Sequence, residues 1–328
     1  MTHPVFEALL PVVLLIALGY CVGRKGWVGA AATKDLSNLV FLVLAPALLF
    51  RTMSGVRVQD IDFRPVLVYF GAMWLVFGAV LWRLGLTRRA AVLGLAATFS
   101  NTLMIGVPLV GLAYGQQGLV TLFALVSLHA FVMLTMVTVV LEFAVLAEQQ
   151  RAACGASAAA AALRWPARLR KLALTVARAG RASLLHPVPL PILCGLLFAQ
   201  TGLPLPGVIE RPLQLLGAAF GPVALLLVGI SLAGTALGGH WRAALGLMLM
   251  KNLLHPLVLA LLGLALGFAG VPFAVMVLAA SLPIGANVYL YAMRYLVAEQ
   301  EVTAAIALST MLGVATVALV MALVPYLP

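Results

Sequence analysis

The sequence predicts an all-α membrane protein: ten transmembrane helices forming two inverted five-helix repeats, with the fourth and ninth helices broken. Three observations predict it. Of the 328 residues 64% are hydrophobic and 9% charged, and the mean hydropathy is +1.15, far outside the range of a soluble domain. The apolar residues fall into ten runs near the ~20 residues that a hydrocarbon core requires of a helix. One long basic loop divides five runs from five. Because five is odd, the second set enters the membrane from the opposite side, so any likeness between the halves is an inverted repeat.

The predicted spans are 4–23, 36–53, 65–83, 91–113 and 119–146 in the first repeat (1–146), and 187–202, 213–237, 243–269, 272–296 and 303–327 in the second (187–328). The first run lacks a basic leader and carries Glu7, so it reads as a retained span. The halves echo each other in their prolines. Pro11 and Pro191 open each set, Pro46 answers Pro222, and the fourth segment of each set holds an Asn, a Pro and an Ile-Gly pair. Orientation follows from Lys and Arg. The odd loops hold Arg24, Lys25, Lys34, Arg83, Arg88, Arg89, the cations from Arg151 to Arg181, Arg242 and Arg294, whereas the even loops hold Arg51, Arg57, Arg64 and Arg211. The positive-inside rule then puts the odd loops in the cytoplasm and both termini outside. In the fifth loop (147–186), Trp165, Leu169, Leu172 and Val176 recur at helical spacing beside a basic stripe, which suits the anionic inner leaflet. Membrane lipids are thus expected partners.

Two stretches are unlike lipid-facing helix. Thr98-Phe99-Ser100-Asn101-Thr102 runs on to Ile105-Gly106-Val107-Pro108, and Ser281-Leu282-Pro283-Ile284-Gly285-Ala286-Asn287-Val288-Tyr289 mirrors it. Proline removes an N–H and clashes with the preceding turn. Irregular backbone at membrane depth survives only where protein buries it or a wet cavity lines it. Paired broken segments in corresponding halves point to the binding site of a secondary transporter. Asn101 and Asn287 can donate to a carboxylate beside half-helix N-termini, which favour anions. A single such Asn would more simply tie down freed backbone, and the matched pair tips the balance toward ligation. Ser100, Ser281 and Tyr289 offer hydroxyls, though each could instead satisfy a nearby carbonyl.

Lys251 is a cation well inside a span, and an intramembrane ionisable residue is by default a functional hypothesis; its stem could alternatively snorkel to the interface. His255, four residues on, shares its helix face. His129, near the middle of the fifth span, is the other candidate for proton coupling, against the simpler alternative of a packed core histidine.

The composition also excludes. Cys21, Cys154 and Cys194 have neither metal-ligand nor disulfide-framework spacing, and no metal or cofactor is expected. Zincin, nucleophile-elbow and phosphate-loop motifs are absent, so no enzyme is expected. No loop could house a nucleotide-binding domain. The net charge of +11 resides in loops and sets orientation, so nucleic acid is not an expected partner.

Taken together, Leu10-Pro11 with Ala17-Leu18-Gly19-Tyr20, Leu44-Ala45-Pro46-Ala47-Leu48-Leu49-Phe50, Ser100-Asn101-Thr102 with Ile105-Gly106-Val107-Pro108, and Leu282 to Tyr289 resemble the auxin efflux carrier family. The likeness is to its bacterial permeases of malonate and other small organic acids, and it covers nearly everything but the fifth loop. The resemblance implies a fold like that of the bile acid sodium symporters. The fourth and ninth helices would cross at Pro108 and Pro283, in a mobile domain of helices 3–5 and 8–10. Helices 1, 2, 6 and 7 would form a scaffold and a homodimer contact. It further implies an elevator-like carrier of a small organic anion in the bacterial inner membrane, with Asn101 and Asn287 at the crossover. A proton or sodium stays open as the coupling ion, and no acidic cluster in the spans demands sodium. The long hydrophilic loop of plant auxin carriers is missing, which argues against a hormone substrate. Potential-driven export of a weak acid or amino-acid-like metabolite, and a non-transporting sensor using the same pocket, are the alternatives.

Overall fold

The structure, a computed structural model, describes residues 4–152, 174, 187–235 and 240–324. Apart from Leu174, the amphipathic stretch predicted in the fifth loop lies outside the described residues. The regular elements among the described residues are all helices, and no strand occurs among them. In chain order the helices are α1 (Pro4–Arg24), α2 (Ala30–Leu39), α3 (Ala45–Met53), α4 (Arg64–Leu84), α5 (Arg88–Ala96), α6 (Val107–Ala152), α7 (Pro189–Ala199), α8 (Gly207–Ala233), α9 (Trp241–Leu249), α10 (His255–Ala265), α11 (Gly270–Ser281), α12 (Asn287–Tyr295) and α13 (Glu299–Leu323). Their starts obey local rules. Pro65 and Pro189 stand in first turns, where the lost N–H is not missed. Thr87 caps α5 by accepting from the Ala90 N–H.

Among the described residues, seven stretches are long and apolar enough to cross a membrane: Glu7–Arg24, Ala30–Met53, Arg64–Leu84, Thr102–Val145, Gly207–Ala233, Trp241–Ala265 and Glu299–Leu323. α7 and α11 are apolar but shorter. The difference from ten has physical causes. The predicted spans 91–113 and 119–146 run together through α6, which turns only at Gly115, where φ 58 and ψ −148 are open to glycine alone. The ninth segment is cut into α11 and α12. Large apolar side chains point outward, Leu14, Leu67, Trp82 and Leu261 among them, as a surface facing hydrocarbon requires.

Three five-residue π-helical segments, Val40–Leu44, Thr102–Gly106 and Met250–Leu254, each end two residues before a proline: Pro46, Pro108 and Pro256. The proline ring would strike the carbonyl four residues back. A wider turn moves that carbonyl aside, and the ladder resumes from five residues back: Ala45 N–H donates to Val40 O and His255 N–H to Met250 O.

The helices pack as two sets. α1 lies along α8, and α3 packs on α7 and α8. These contacts are close because they use glycine: a Cβ on Gly19 would meet the Leu226 carbonyl, one on Gly229 the Ile16 carbonyl, and one on Gly195 the Phe50 carbonyl. The other set gathers α4, α5, α6 and α9 to α13, with α10 against α4 and α11, α9 against α13, and α11 against α6. α6 is the main meeting surface, touching α1, α3, α7 and α8.

Candidate substrate site at a helix crossover

Two interrupted segments meet inside the second set. After α5 the chain leaves helical geometry at Ala97–Asn101, and after α11 at Leu282–Ala286. There the two segments cross as one antiparallel bridge, Ser100 against Ile284. Asn101 N–H donates to Pro283 O (2.8 Å), and Gly285 N–H donates to Phe99 O (2.9 Å). Gly285 has no room for a side chain, since a Cβ would lie 2.6 Å from Phe99 Cδ1.

Each break has its own polar brace. At the first, Thr98 Oγ1 donates to Gly94 O (2.8 Å). The Tyr69 hydroxyl, fully buried on α4, is hydrogen-bonded to Ser100 Oγ (2.9 Å) and to His129 Nε2 (3.3 Å). The His129 ring lies 4.7 Å from that of Phe99. At the second, Ser281 Oγ donates to Leu278 O (2.8 Å). Lys251 Nζ donates to Ala280 O and, at 2.9 Å, to Leu282 O. The Ile284 N–H donates to Ser309 Oγ (2.9 Å), and Ser309 Oγ donates in turn to Asn252 Oδ1 (2.8 Å). Backbone released by each break is therefore largely satisfied, as burial demands.

Beside the crossover lies a cavity of about 300 Å³. Its lining includes Ser100, Asn101, Thr102, Phe99, His129, Gly285 and Asn287, with Phe41 and Pro187–Pro189 on the far wall. The first residues of two helical segments, Asn101–Met104 and Ala286–Asn287, line it together. Helix N-termini carry unbonded N–H groups and the positive end of the dipole. Asn101 Oδ1 is engaged as a cap, accepting from Met104 N–H (3.3 Å), which leaves its NH₂ without a partner among the described residues. Asn287 is exposed at the start of α12. Two amides and two helix starts on one small cavity are groups of the kind that favour an anion.

The predicted residues divide. Ser100, Asn101, His129 and Asn287 line the cavity, and Pro283 supplies a crossover carbonyl. Pro108 does not mark the crossing expected of it. It begins α6 and lines a separate apolar cavity of about 470 Å³ with Pro11, Leu48, Gly221 and Pro222. The break lies seven residues earlier, where Thr98, Ser100 and Asn101 offer the backbone competing hydrogen bonds. Ser281 turns its hydroxyl onto its own helix, and Tyr289 lies outside the lining. Lys251 is fully buried, so it does not snorkel, and it stands behind the second break rather than in the cavity. His255 is likewise buried outside the lining. Neither ring nitrogen has a partner among the described residues, and its ring packs edge-on to Tyr69 at 5.3 Å. Tyr69 and Ser309 escaped the sequence reading. A phenol in mid-span needs a hydrogen-bond partner, and that need was the available signal for Tyr69.

Comparison with known proteins gives the family. Residues 4–321 match the family described as Membrane transport protein. The chain is also 29% identical, over 321 residues, to a protein of Rhizobium meliloti (strain 1021) named "Putative malonate transporter", covering 94% of this chain and 92% of that one.

Proposed function

The chain belongs to the membrane transport protein family, and from that premise we propose that it is a secondary carrier of a small organic anion, with the crossover cavity as its substrate site. The observation that carries the reading is the convergence of Asn101, Asn287 and two helix starts on one cavity. That cavity lies at the lower end of the roughly 300–1,000 Å³ typical of small-molecule pockets. Asn101 and Asn287 donate to carboxylate oxygens, helped by free N–H groups of both helix starts. Ser100 and His129 complete the polar wall. Malonate is the first substrate to test, because the Rhizobium meliloti relative bears that name.

In this reading each interrupted segment is one crossing, Gly115 separates the fourth from the fifth, and the total is ten, as two inverted repeats. Helices α1–α3, α7 and α8 act as the scaffold and the remainder as the moving domain, an elevator across the bacterial inner membrane with both chain ends outside. The packing in two sets supports this division. The homodimer implied by the family resemblance would use the same scaffold.

The test is uptake into proteoliposomes of labelled malonate and a panel of mono- and dicarboxylates, under imposed proton, sodium or voltage gradients. Saturable uptake is expected, with affinity reduced in Asn287→Ala, an exposed position whose truncation leaves the fold intact. Saturable binding without flux would make the protein a sensor. Unchanged affinity in both Asn101→Ala and Asn287→Ala would remove the amides from the site.

A further inference from the structure

The second break exposes more carbonyls than its own backbone can satisfy. α11 ends at Ser281, and the last carbonyls of a helix lack intrahelical donors. Pro283 has no N–H to offer. Ser281 Oγ takes the Leu278 carbonyl, and the Ala280 and Leu282 carbonyls are both taken by Lys251 Nζ. Carbonyls at the C-terminal end of a half-helix, carrying the negative end of its dipole, are the ligands with which broken-helix carriers coordinate a coupling cation. Here the amino group of Lys251 already holds them.

The arrangement is built rather than incidental. Lys251 and Asn252 are consecutive, yet both are fully buried and both face the second break. On a regular α-helix neighbours diverge by about 100°, and the π segment Met250–Leu254 accommodates the pair. Lys251 fixes the carbonyls before Pro283, while Asn252, through Ser309, fixes the Ile284 N–H after it. Asn252 Nδ2 also donates to Ser309 O (3.2 Å) and Thr316 Oγ1 (3.1 Å), tying the assembly to α13. Lys251 takes part in none of the four described ion pairs. The braces identified at the first break, Tyr69, His129 and Thr98, include no Lys or Arg.

We propose that Lys251 is a tethered cation occupying the site that a free coupling cation would otherwise fill at the second break, so that the carrier works without sodium. This rests on the carrier reading above and deepens it, because it assigns the positive charge at the crossover to the protein itself. Removing the side chain vacates a carbonyl-lined hole, which a small monovalent cation then enters.

The experiment is thermal unfolding of the purified protein in detergent, in equimolar NaCl, NH₄Cl or choline chloride, paired with uptake in sodium and in choline. Wild type is expected to melt at the same temperature in all three salts and to transport equally in sodium and choline. Lys251→Ala is expected to melt lower in choline chloride and to recover by about 3 °C or more in NaCl or NH₄Cl, saturably, as a newly bound ligand stabilises. Lys251→Gln keeps N–H donors without the charge and serves as the folded comparison should Lys251→Ala fail to fold; its melting is also expected to rise with Na⁺ or NH₄⁺. Sodium-dependent melting or uptake of wild type overturns the proposal. So does insensitivity of both variants to Na⁺ and NH₄⁺. The melting arm needs no transport: a variant that gains a cation site in a protein that moves no carboxylate sinks the carrier reading and spares this one.

Discussion

Asn101 uses its two ends for different purposes, and that makes it separable by substitution. Its Oδ1 caps the helical start by accepting from Met104 N–H, while its NH₂ borders the cavity. Asn101→Asp retains the acceptor, worth about 1 kcal/mol as a cap, but exchanges the donors for negative charge. Normal folding with uptake affinity lowered tenfold or more, the equivalent of roughly 1.4 kcal/mol, is the expected result; undiminished affinity would reduce Asn101 to a cap. Tyr69 invites the converse test. Tyr69→Phe leaves the buried Ser100 and His129 without a shared hydroxyl, costing about 1–3 kcal/mol. Calorimetry in detergent should show a lower unfolding temperature. The amides were legible in the sequence because an Asn in hydrocarbon is conspicuous by itself. Lys251 was legible for the same reason, but not its carbonyl partners, which lie 29 and 31 residues away. Ser309 carried no local mark at all, since a serine in a span normally bonds its own helix.

Prolines announce disturbance without saying where it falls. Pro46, Pro108 and Pro256 each stand just after a π turn that absorbs the steric conflict, so the helix continues past them. The true interruptions come where side-chain hydroxyls and amides outbid the ladder, at Thr98–Asn101, and where Leu282, at ψ 153, leaves helical geometry before Pro283. Hydropathy alone could reveal apolar runs and fix most helices to within a few residues, but it could not show that Gly115 turns without a loop. Pro256 has the most consequential π turn, since that turn carries Lys251 and Asn252. Pro256→Ala restores an N–H able to reach the Asn252 carbonyl and permits ordinary α geometry. That rotates one of the two buried polar residues off the second break. Pro256→Ala should lower uptake by about tenfold with helicity unchanged by circular dichroism, whereas Pro46→Ala, whose π turn Val40–Leu44 carries no polar brace, should lower it less.

At the scale of the molecule, the described polar ties stay within each set of helices. Arg51–Glu210 joins α3 to α8, while Arg88–Glu148 and Arg89–Glu301 join α5 to α6 and α13. The Tyr291 hydroxyl and Thr138 Oγ1 link α12 to α6 (3.1 Å). Where the sets meet, the gap of about 470 Å³ is lined mainly by apolar and small residues, Pro108, Gly111 and Leu119 facing Leu48, Gly217 and Pro222. Such a surface suits the proposed sliding, because none of the side-chain hydrogen bonds and ion pairs given above crosses it. The crossover cavity touches Pro187–Pro189, where α7 begins. A third cavity, of about 520 Å³ and holding Arg51, Arg57 and Glu210, lies beside the opposite end of α7, at Ala199 and Gly202. If the set carrying the crossover moves between these faces, a thiol at Ala286, on the crossover cavity, must exchange one solvent for the other. Ala286→Cys, with Cys21, Cys154 and Cys194 replaced by serine, should react with an impermeant maleimide in inside-out vesicles. In right-side-out vesicles it should react only slowly, and malonate should change both rates in opposite directions. Equal labelling from both sides with no effect of malonate would describe a fixed pore, and the two sets of helices would then be one rigid body.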